Sequence, residues 1–159
     1  MCCGEGDPLL ADARASDGRC CSTHPVHEVV VGALIRTGQV LLVHRSSDRA
    51  AYPDVWDLPG GHIEPGESEL DALARELHEE LEVRIVAGST SNLCRLDTGR
   101  GPDRVRLSAW LVSDWRDEPT NAAPEEHDEI RWFPVAELPP LAHGLLGIAL
   151  MDAIGTHLA

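Results

Sequence analysis

Glu76, Glu79 and Glu80 stand at i, i+3 and i+4 in the segment GHIEPGESELDALARELHEELEV, Gly61 to Val83. At about 100° per residue, a helix places all three carboxylates within an arc of about 100° beside its apolar stripe. Like charges at this spacing destabilise a bare helix by ~0.2–0.5 kcal/mol per pair. Partial desolvation of each carboxylate adds to that cost. Arg75 is one cation that would compensate. A hard divalent metal taking oxygen ligands is another. Taken alone, the glutamates also read as a solvated acidic face. Just upstream, however, Pro59-Gly60-Gly61 forms a turn without side chains, which leaves backbone amides and carbonyls open to a ligand. Loop and helix together point to a metal-and-phosphate site, the setting of metal-assisted hydrolysis at phosphorus.

The glutamates need a helix to align them, and Ser68 to Glu82 supplies it. Ser68 can cap it, with Asp71 three residues on. Leu70, Leu73, Leu77 and Leu81 recur at spacings of 3, 4 and 4 and form one apolar stripe. Upstream, His27–Arg36 reads as a buried strand, Thr37-Gly38-Gln39 as a turn and Val40–Arg45 as its hairpin partner. Ser46–Val55 reads as a loop and Trp56-Asp57-Leu58 as a short strand. Downstream, Val83–Ser89, Asn92–Asp97, Arg104–Trp115 and Glu129–Val135 read as strands, and Gly144–Leu158 as a terminal helix. Strands mixed with two helices predict an α/β sandwich, a mixed sheet between helices. Residues 1–26 are rich in Gly, Asp, Ala, Ser and Cys and read as a mobile tail. The folded domain is expected over residues 27–159.

The pattern from Gly61 resembles the signature of the Nudix (MutT-like) hydrolases, G-x5-E-x7-R-E-U-x-E-E-x-G-U with U apolar. Gly61, Glu67 and then Arg75-Glu76-Leu77-His78-Glu79-Glu80-Leu81-Glu82-Val83 match every fixed position except the late Gly, which is Glu82. The resemblance extends to Val43-His44-Arg45, to Trp56-Asp57-Leu58-Pro59-Gly60-Gly61 and to Trp110–Pro119, covering residues 27–140. It implies the Nudix-type α/β/α sandwich and attack of water on a substituted diphosphate. It implies Mg²⁺ or Mn²⁺ on Glu76, Glu79, Glu80 and the Gly60 carbonyl, with Glu67 and Arg75 bracing the loop against the helix. Asp114-Trp115-Arg116-Asp117-Glu118-Pro119 resembles a MutT segment whose Glu lies at the metals, so Glu118 is the leading general base, with Glu125, Glu126 and Glu129 as alternatives. Arg45 matches a position that touches the nucleotide. The asparagine with which MutT reads its base falls near Pro134, which has no hydrogen-bonding side chain; Asn121 and Asp128 are open substitutes. Because a Gly at position 82 would end the helix in a left-handed cap, Glu82 implies that the helix ends differently or runs on.

The rest of the composition narrows the function. The 159-residue chain carries 13 Lys and Arg against 27 Asp and Glu, a net charge of −14. That balance argues against a nucleic-acid polymer or an anionic membrane as partner, since polyanions are held by cationic side chains. No apolar run approaches the ~20 residues that span a bilayer. No signal-peptide pattern opens the chain, so a cytoplasmic monomer or homodimer is expected. Cys21, His24 and His27 have conceivable zinc spacing, but adjacent cysteines are not the usual ligand arrangement. Cys94 lies on a strand and reads as packing. The expected activity is hydrolysis of nucleoside triphosphates, including oxidised or modified ones, to monophosphate and pyrophosphate. An ADP-ribose or nucleotide-sugar diphosphatase, and a non-catalytic nucleotide sensor, are the alternatives.

Overall fold

The computed structural model describes residues 26–155. The expected tail, and the Cys21 and His24 of the conceivable zinc set, lie outside the described residues. The strands are β1 (His27–Arg36), β2 (Gln39–Arg45), β3 (Trp56–Asp57), β4 (Gly60–His62), β5 (Arg84–Ile85), β6 (Thr90–Thr98), β7 (Val105–Val112), β8 (Trp115–Arg116) and β9 (His127–Pro134). Two helices join them, α1 (Glu69–Leu81) and α2 (Gly144–Gly155). The main sheet runs β3-β2-β1-β7-β6, with β4 on β1 and β9 on β2. β1 and β7 are parallel and the other pairs antiparallel, so the sheet is mixed as expected. Among the described residues no helix is long and apolar enough to cross a membrane.

Alternation along β1 builds the two faces. Val30 and Leu34 pack against Ala72, Leu73, Leu77 and Leu81 of α1. Val31 and Ala33 pack on the other side with Leu146, Leu150 and Ile154 of α2. A sheet with one apolar layer on each face needs a helix on each, which is the sandwich. Gly32 lets α1 approach closely, because a Cβ there would stand 2.9 Å from Leu73 Cδ1 and 3.2 Å from Leu77 Cδ1.

β1 changes partners along its length, and this opens the site. Its end pairs with β2 through Ile35 and Arg36, across a two-residue turn in which Thr37 and Gly38 both have positive φ. Its start pairs with β4, Val29 to Val31 against His62 to Gly60. Where β2 diverges, the loop before β4 fills the gap, and Gly32 N donates to Pro59 O at 2.9 Å.

Several expectations are corrected. Leu70 is 41% exposed and does not join the stripe, whose inward members are Leu73, Leu77, Leu81 and Ala72. At that end of the helix the sheet presents polar groups, and Glu69 accepts hydrogen bonds from Ser108 Oγ and Trp110 Nε1. The strand expected over Val83–Ser89 shrinks to Arg84–Ile85, because Val86 and Ser89 close a turn on Asp114 and Gly88 takes a positive φ of 82°. The strand expected to reach Trp115 breaks after Val112, and Trp115–Arg116 pairs with β5 instead. The last strand begins at His127, two residues before the expected Glu129. Cys94 packs against the α2-side core, as expected.

Ser68 Oγ accepts from Asp71 N at 3.1 Å and caps α1. At the other end the helix stops where a Gly would stop it. Glu82 itself takes the left-handed conformation, φ 59° and ψ 23°, and its N–H donates to His78 O. A Cβ there costs ~1 kcal/mol or more, partly offset by Thr120 Oγ1, which donates to Glu82 Oε2 at 2.8 Å. An exposed bond of this kind contributes less, ~0.5 kcal/mol. Glu82→Gly is therefore expected to raise Tm by roughly 1–2 °C with unchanged secondary structure by circular dichroism. A fall in Tm would show that the Thr120 bond outweighs the strain.

Candidate active site

Glu80 sets the geometry. It lies seven positions after Leu73, about 20° from it on the helical wheel, and thus on the apolar face itself rather than beside it. The residue is 2% exposed. Its Oε2 accepts from Gly60 N at 3.1 Å. Burial, with Glu76 and Glu126 nearby, pushes its carboxyl up to about 9 against the Gly60 backbone donor and the charge of Arg49. Gly60 reaches it because only Gly fits. Its φ is +149°, and a Cβ would stand 2.1 Å from Val30 O. At Gly61 a Cβ would stand 2.6 Å from the Glu76 carboxyl, so the two glycines seat two glutamates.

Arg75 neutralises the flank. Its Nε and Nη2 donate to the two Glu67 oxygens at 2.9 Å each, Nη2 also to His62 O, and Nη1 to Glu76 Oε1 at 2.8 Å. The Arg75 bond, with Glu64 N donating to the same carboxylate, holds Glu67 down at about 2. These bonds tie the loop of Glu67 and His62 to α1 through Arg75. Glu76 is half-buried, and desolvation raises it despite Arg75. Glu79 is exposed, 3.4 Å from Arg75 Nη1.

The loop after β8 hooks onto the helix end. Thr120 N donates to Leu81 O at 3.0 Å and Ala122 N to Glu80 O at 2.9 Å, satisfying carbonyls that a helix terminus leaves free. This delivers Glu126 and His127 to Glu80. One ligand atom from each of the three lies within 4.8 Å of the others. His127 is 3% exposed, its Nδ1 has no hydrogen-bond partner, and burial holds its ring neutral, down at about 4. Two carboxylates and a neutral imidazole are a donor set for a divalent cation. The site therefore fits a metal, with Glu80 shared between this trio and the Glu76–Glu79 flank.

The other expected carboxylates fall elsewhere. Glu118 is clamped by Arg36 Nη1 and Nη2 at 3.1–3.2 Å on an exposed surface, and Glu126 rather than Glu118 acts electrostatically on both Glu76 and Glu80. Glu129 is bonded to Arg131, and Glu125 is exposed. Asn121 donates to His127 O, and Asp128 lies 2.6 Å from His44 Nδ1. Arg45 is committed to the loop before β3, donating to Ala51 O and Tyr52 O at 2.8–3.2 Å.

A cleft of about 500 Å³ opens beside the glycines. Its lining includes the polar Arg45, Arg49, Tyr52, Asp57 and His143 and the apolar Val29, Val31 and Leu107. Arg49 lies 3.4 Å from Glu126, linking cleft to carboxylates. Arg49, His127, Asp57, Tyr52 and His143 were not singled out from the sequence as site residues. A lone loop Arg or strand-end Asp carries no spacing signal; only the meeting of β3, β9, the loop before β3 and the segment before α2 groups them.

Residues 26–149 match the family model of the NUDIX domain. A CTP pyrophosphohydrolase of Escherichia coli K12 is 35% identical over 108 residues, 66% of this chain and 73% of that protein. A nucleoside triphosphatase NudI of Klebsiella pneumoniae is 32% identical over 123 residues, 70% of this chain and 85% of that protein. The crystal structure of a MutT NUDIX hydrolase from Burkholderia pseudomallei superposes with a TM-score of 0.71 at 29% identity, covering 79% of this chain and 96% of that one. The chain belongs to the NUDIX family and is a Nudix hydrolase.

The raised Glu80 makes a prediction for the metal-free protein. The folded state holds a proton on Glu80 that the unfolded state releases above about 4.5, so stability falls as pH rises from there towards about 9. In chelator, Tm should drop between pH 5.5 and 8.5, and Glu80→Gln should flatten that slope and exceed wild type at pH 8.5 by roughly 5 °C, or ~2 kcal/mol. A slope unchanged by the substitution would show that Glu80 is not the group responsible.

Proposed function

We propose that this Nudix hydrolase cleaves nucleoside triphosphates between the α and β phosphates, giving a nucleoside monophosphate and pyrophosphate. The observation that carries it is the buried Glu80 carboxyl, bonded to Gly60 N and grouped with Glu126 and His127, at the edge of a nucleoside-sized cleft that Gly60 lines. The names of the CTP pyrophosphohydrolase and nucleoside triphosphatase relatives support this reading. Glu76, Glu79, Glu80 and the Gly60 carbonyl would hold Mg²⁺ or Mn²⁺, with Glu126 and His127 adjoining. When bound, the metal neutralises phosphate charge and lowers the pKa of the attacking water.

The residues divide the remaining work. Glu126 takes the proton from water as its oxygen bonds to the attacked phosphorus and the bridging oxygen departs with pyrophosphate. Arg49, beside Glu126 and lining the cleft, is placed to offset the charge of the triphosphate. Arg45 holds the loop that forms one cleft wall.

Turnover of a panel of triphosphates, ADP-ribose and nucleotide sugars with Mg²⁺, with pyrophosphate separated from phosphate, tests the reading. Glu79→Gln and Glu126→Gln should each lower kcat by about 100-fold or more, while Glu118→Gln should stay within about threefold of wild type. A loss at Glu118 with retention at Glu126 would reverse the assignment of the base. Turnover restricted to ADP-ribose or nucleotide sugars would overturn the triphosphate reading.

A further inference from the structure

His127 stands among the carboxylates, yet the hydrolytic step does not use it. The residue is 3% exposed. A ring nitrogen and one oxygen each from Glu80 and Glu126 lie within 4.8 Å of one another. Among the described residues no hydrogen bond or ion pair joins the ring to either carboxylate. The donors are thus grouped without being bonded to one another. Atoms that share one ion have this spacing, since bonds of about 2.1 Å to a common cation hold opposite ligands about 4.2 Å apart. Nδ1 of His127 is fully buried without a partner, a costly state for a polar atom. The backbone fixes the ring in this place. β9 has one residue more than β2 at its start, because Arg45 pairs with His127 and His44 with Glu129. A bulge re-aims the side chains beside it. Here His127 turns in towards Glu80, and Asp128 turns out to His44, 2.6 Å away. His127 N donates to Ala123 O at 3.0 Å, and His127 O accepts from Asn121 Nδ2 at 2.8 Å.

Resting on the metal-dependent reading above, we propose that His127 supplies a nitrogen ligand to the divalent cation held on Glu80. The imidazole then adds affinity for Mn²⁺, Co²⁺ and Zn²⁺ that Mg²⁺ does not share. Mg²⁺ takes oxygen ligands and keeps several of its waters. Imidazole nitrogen suits the first-row transition metals, whose affinity for a mixed nitrogen and oxygen site rises from Mn²⁺ to Co²⁺. The Glu76–Glu79 flank of the site offers side-chain oxygen alone. His127 is the one side chain of the group that distinguishes between these cations.

The test loads chelator-treated protein with Mn²⁺ and reads the nitrogen coupling of a bound imidazole by pulsed electron paramagnetic resonance. Wild type is set beside His127→Gln, His127→Asn and Glu80→Gln, and calorimetry measures the affinities for Mg²⁺ and Co²⁺. Wild type should show a histidine nitrogen on Mn²⁺, and all three variants should lose it. Co²⁺ affinity should fall by at least about tenfold in both His127 variants. Their Mg²⁺ affinity should stay within about threefold of wild type, which also shows that they fold. Wild-type Mn²⁺ without nitrogen coupling, or coupling that survives His127→Gln, overturns the proposal. Coupling that survives Glu80→Gln overturns it as well, by placing the nitrogen at another site such as His44 with Asp54 and Asp128. An equal loss for Mg²⁺ and Co²⁺ leaves His127 a structural role only. None of these measurements uses substrate. If triphosphates are not cleaved, the ligand assignment is therefore untouched, and if Mg²⁺ supports turnover with no nitrogen on the metal, the triphosphate reading stands and the role of His127 falls.

Discussion

The Glu80 carboxylate is buried on the apolar face of α1, and most of the site follows from keeping it there. Taking a carboxylate out of water costs several kcal/mol unless donors or a cation replace the water. The protein itself supplies one backbone N–H, from Gly60, and the more distant charge of Arg49, and opposes them with Glu76 and Glu126. The balance is unfavourable without a cation. The same arrangement that weakens the metal-free fold groups side chains that could hold a divalent cation.

Three features of the fold exist in relation to that carboxylate. β1 gives up β2 for β4, which opens the gap that the Pro59-Gly60-Gly61 turn enters. The two glycines then approach so closely that any Cβ would overlap Val30 O or the Glu76 carboxyl. On the far side, the loop after β8 donates Thr120 N and Ala122 N to the last carbonyls of α1. Those bonds satisfy the helix end and bring Glu126 and His127 against Glu80. Arg75 completes the arrangement by tying Glu67, Glu76 and His62 O together. Arg75 is a brace whose charge keeps the glutamate flank tolerable.

Local chemistry was legible where local physics decides the outcome. The Ser68 cap, the inward Leu73, Leu77 and Leu81 and the hairpin turn at Thr37-Gly38 are matters of helical period, capping and turn geometry, and they form as their residues suggest. The Glu67–Arg75 brace was legible through the motif. Leu70 and the Val83–Ser89 strand were misread because their fate depends on what the sheet presents opposite them. Glu82 was misread for a different reason. A residue that disfavours the left-handed region still adopts it when the following loop is already bonded to the helix end.

The sequence by itself determined the mixed α/β sandwich, the glutamate helix with its glycine turn, and the family. Each is encoded in periodicity and in fixed spacings along one segment. Which later carboxylate joins that helix was decided only in three dimensions. The motif favours Glu118 over Glu125, Glu126 and Glu129, but Arg36 holds Glu118, Arg131 holds Glu129, and Glu125 faces solvent. The bonds of Thr120 and Ala122 to α1 place Glu126 at Glu80. The cleft residue Asp57 was likewise decided by the meeting of β3, β4 and the loop held by Arg45. Contacts between residues tens of positions apart leave no spacing in the sequence, because they are set by strand order and by which backbone groups remain to be satisfied.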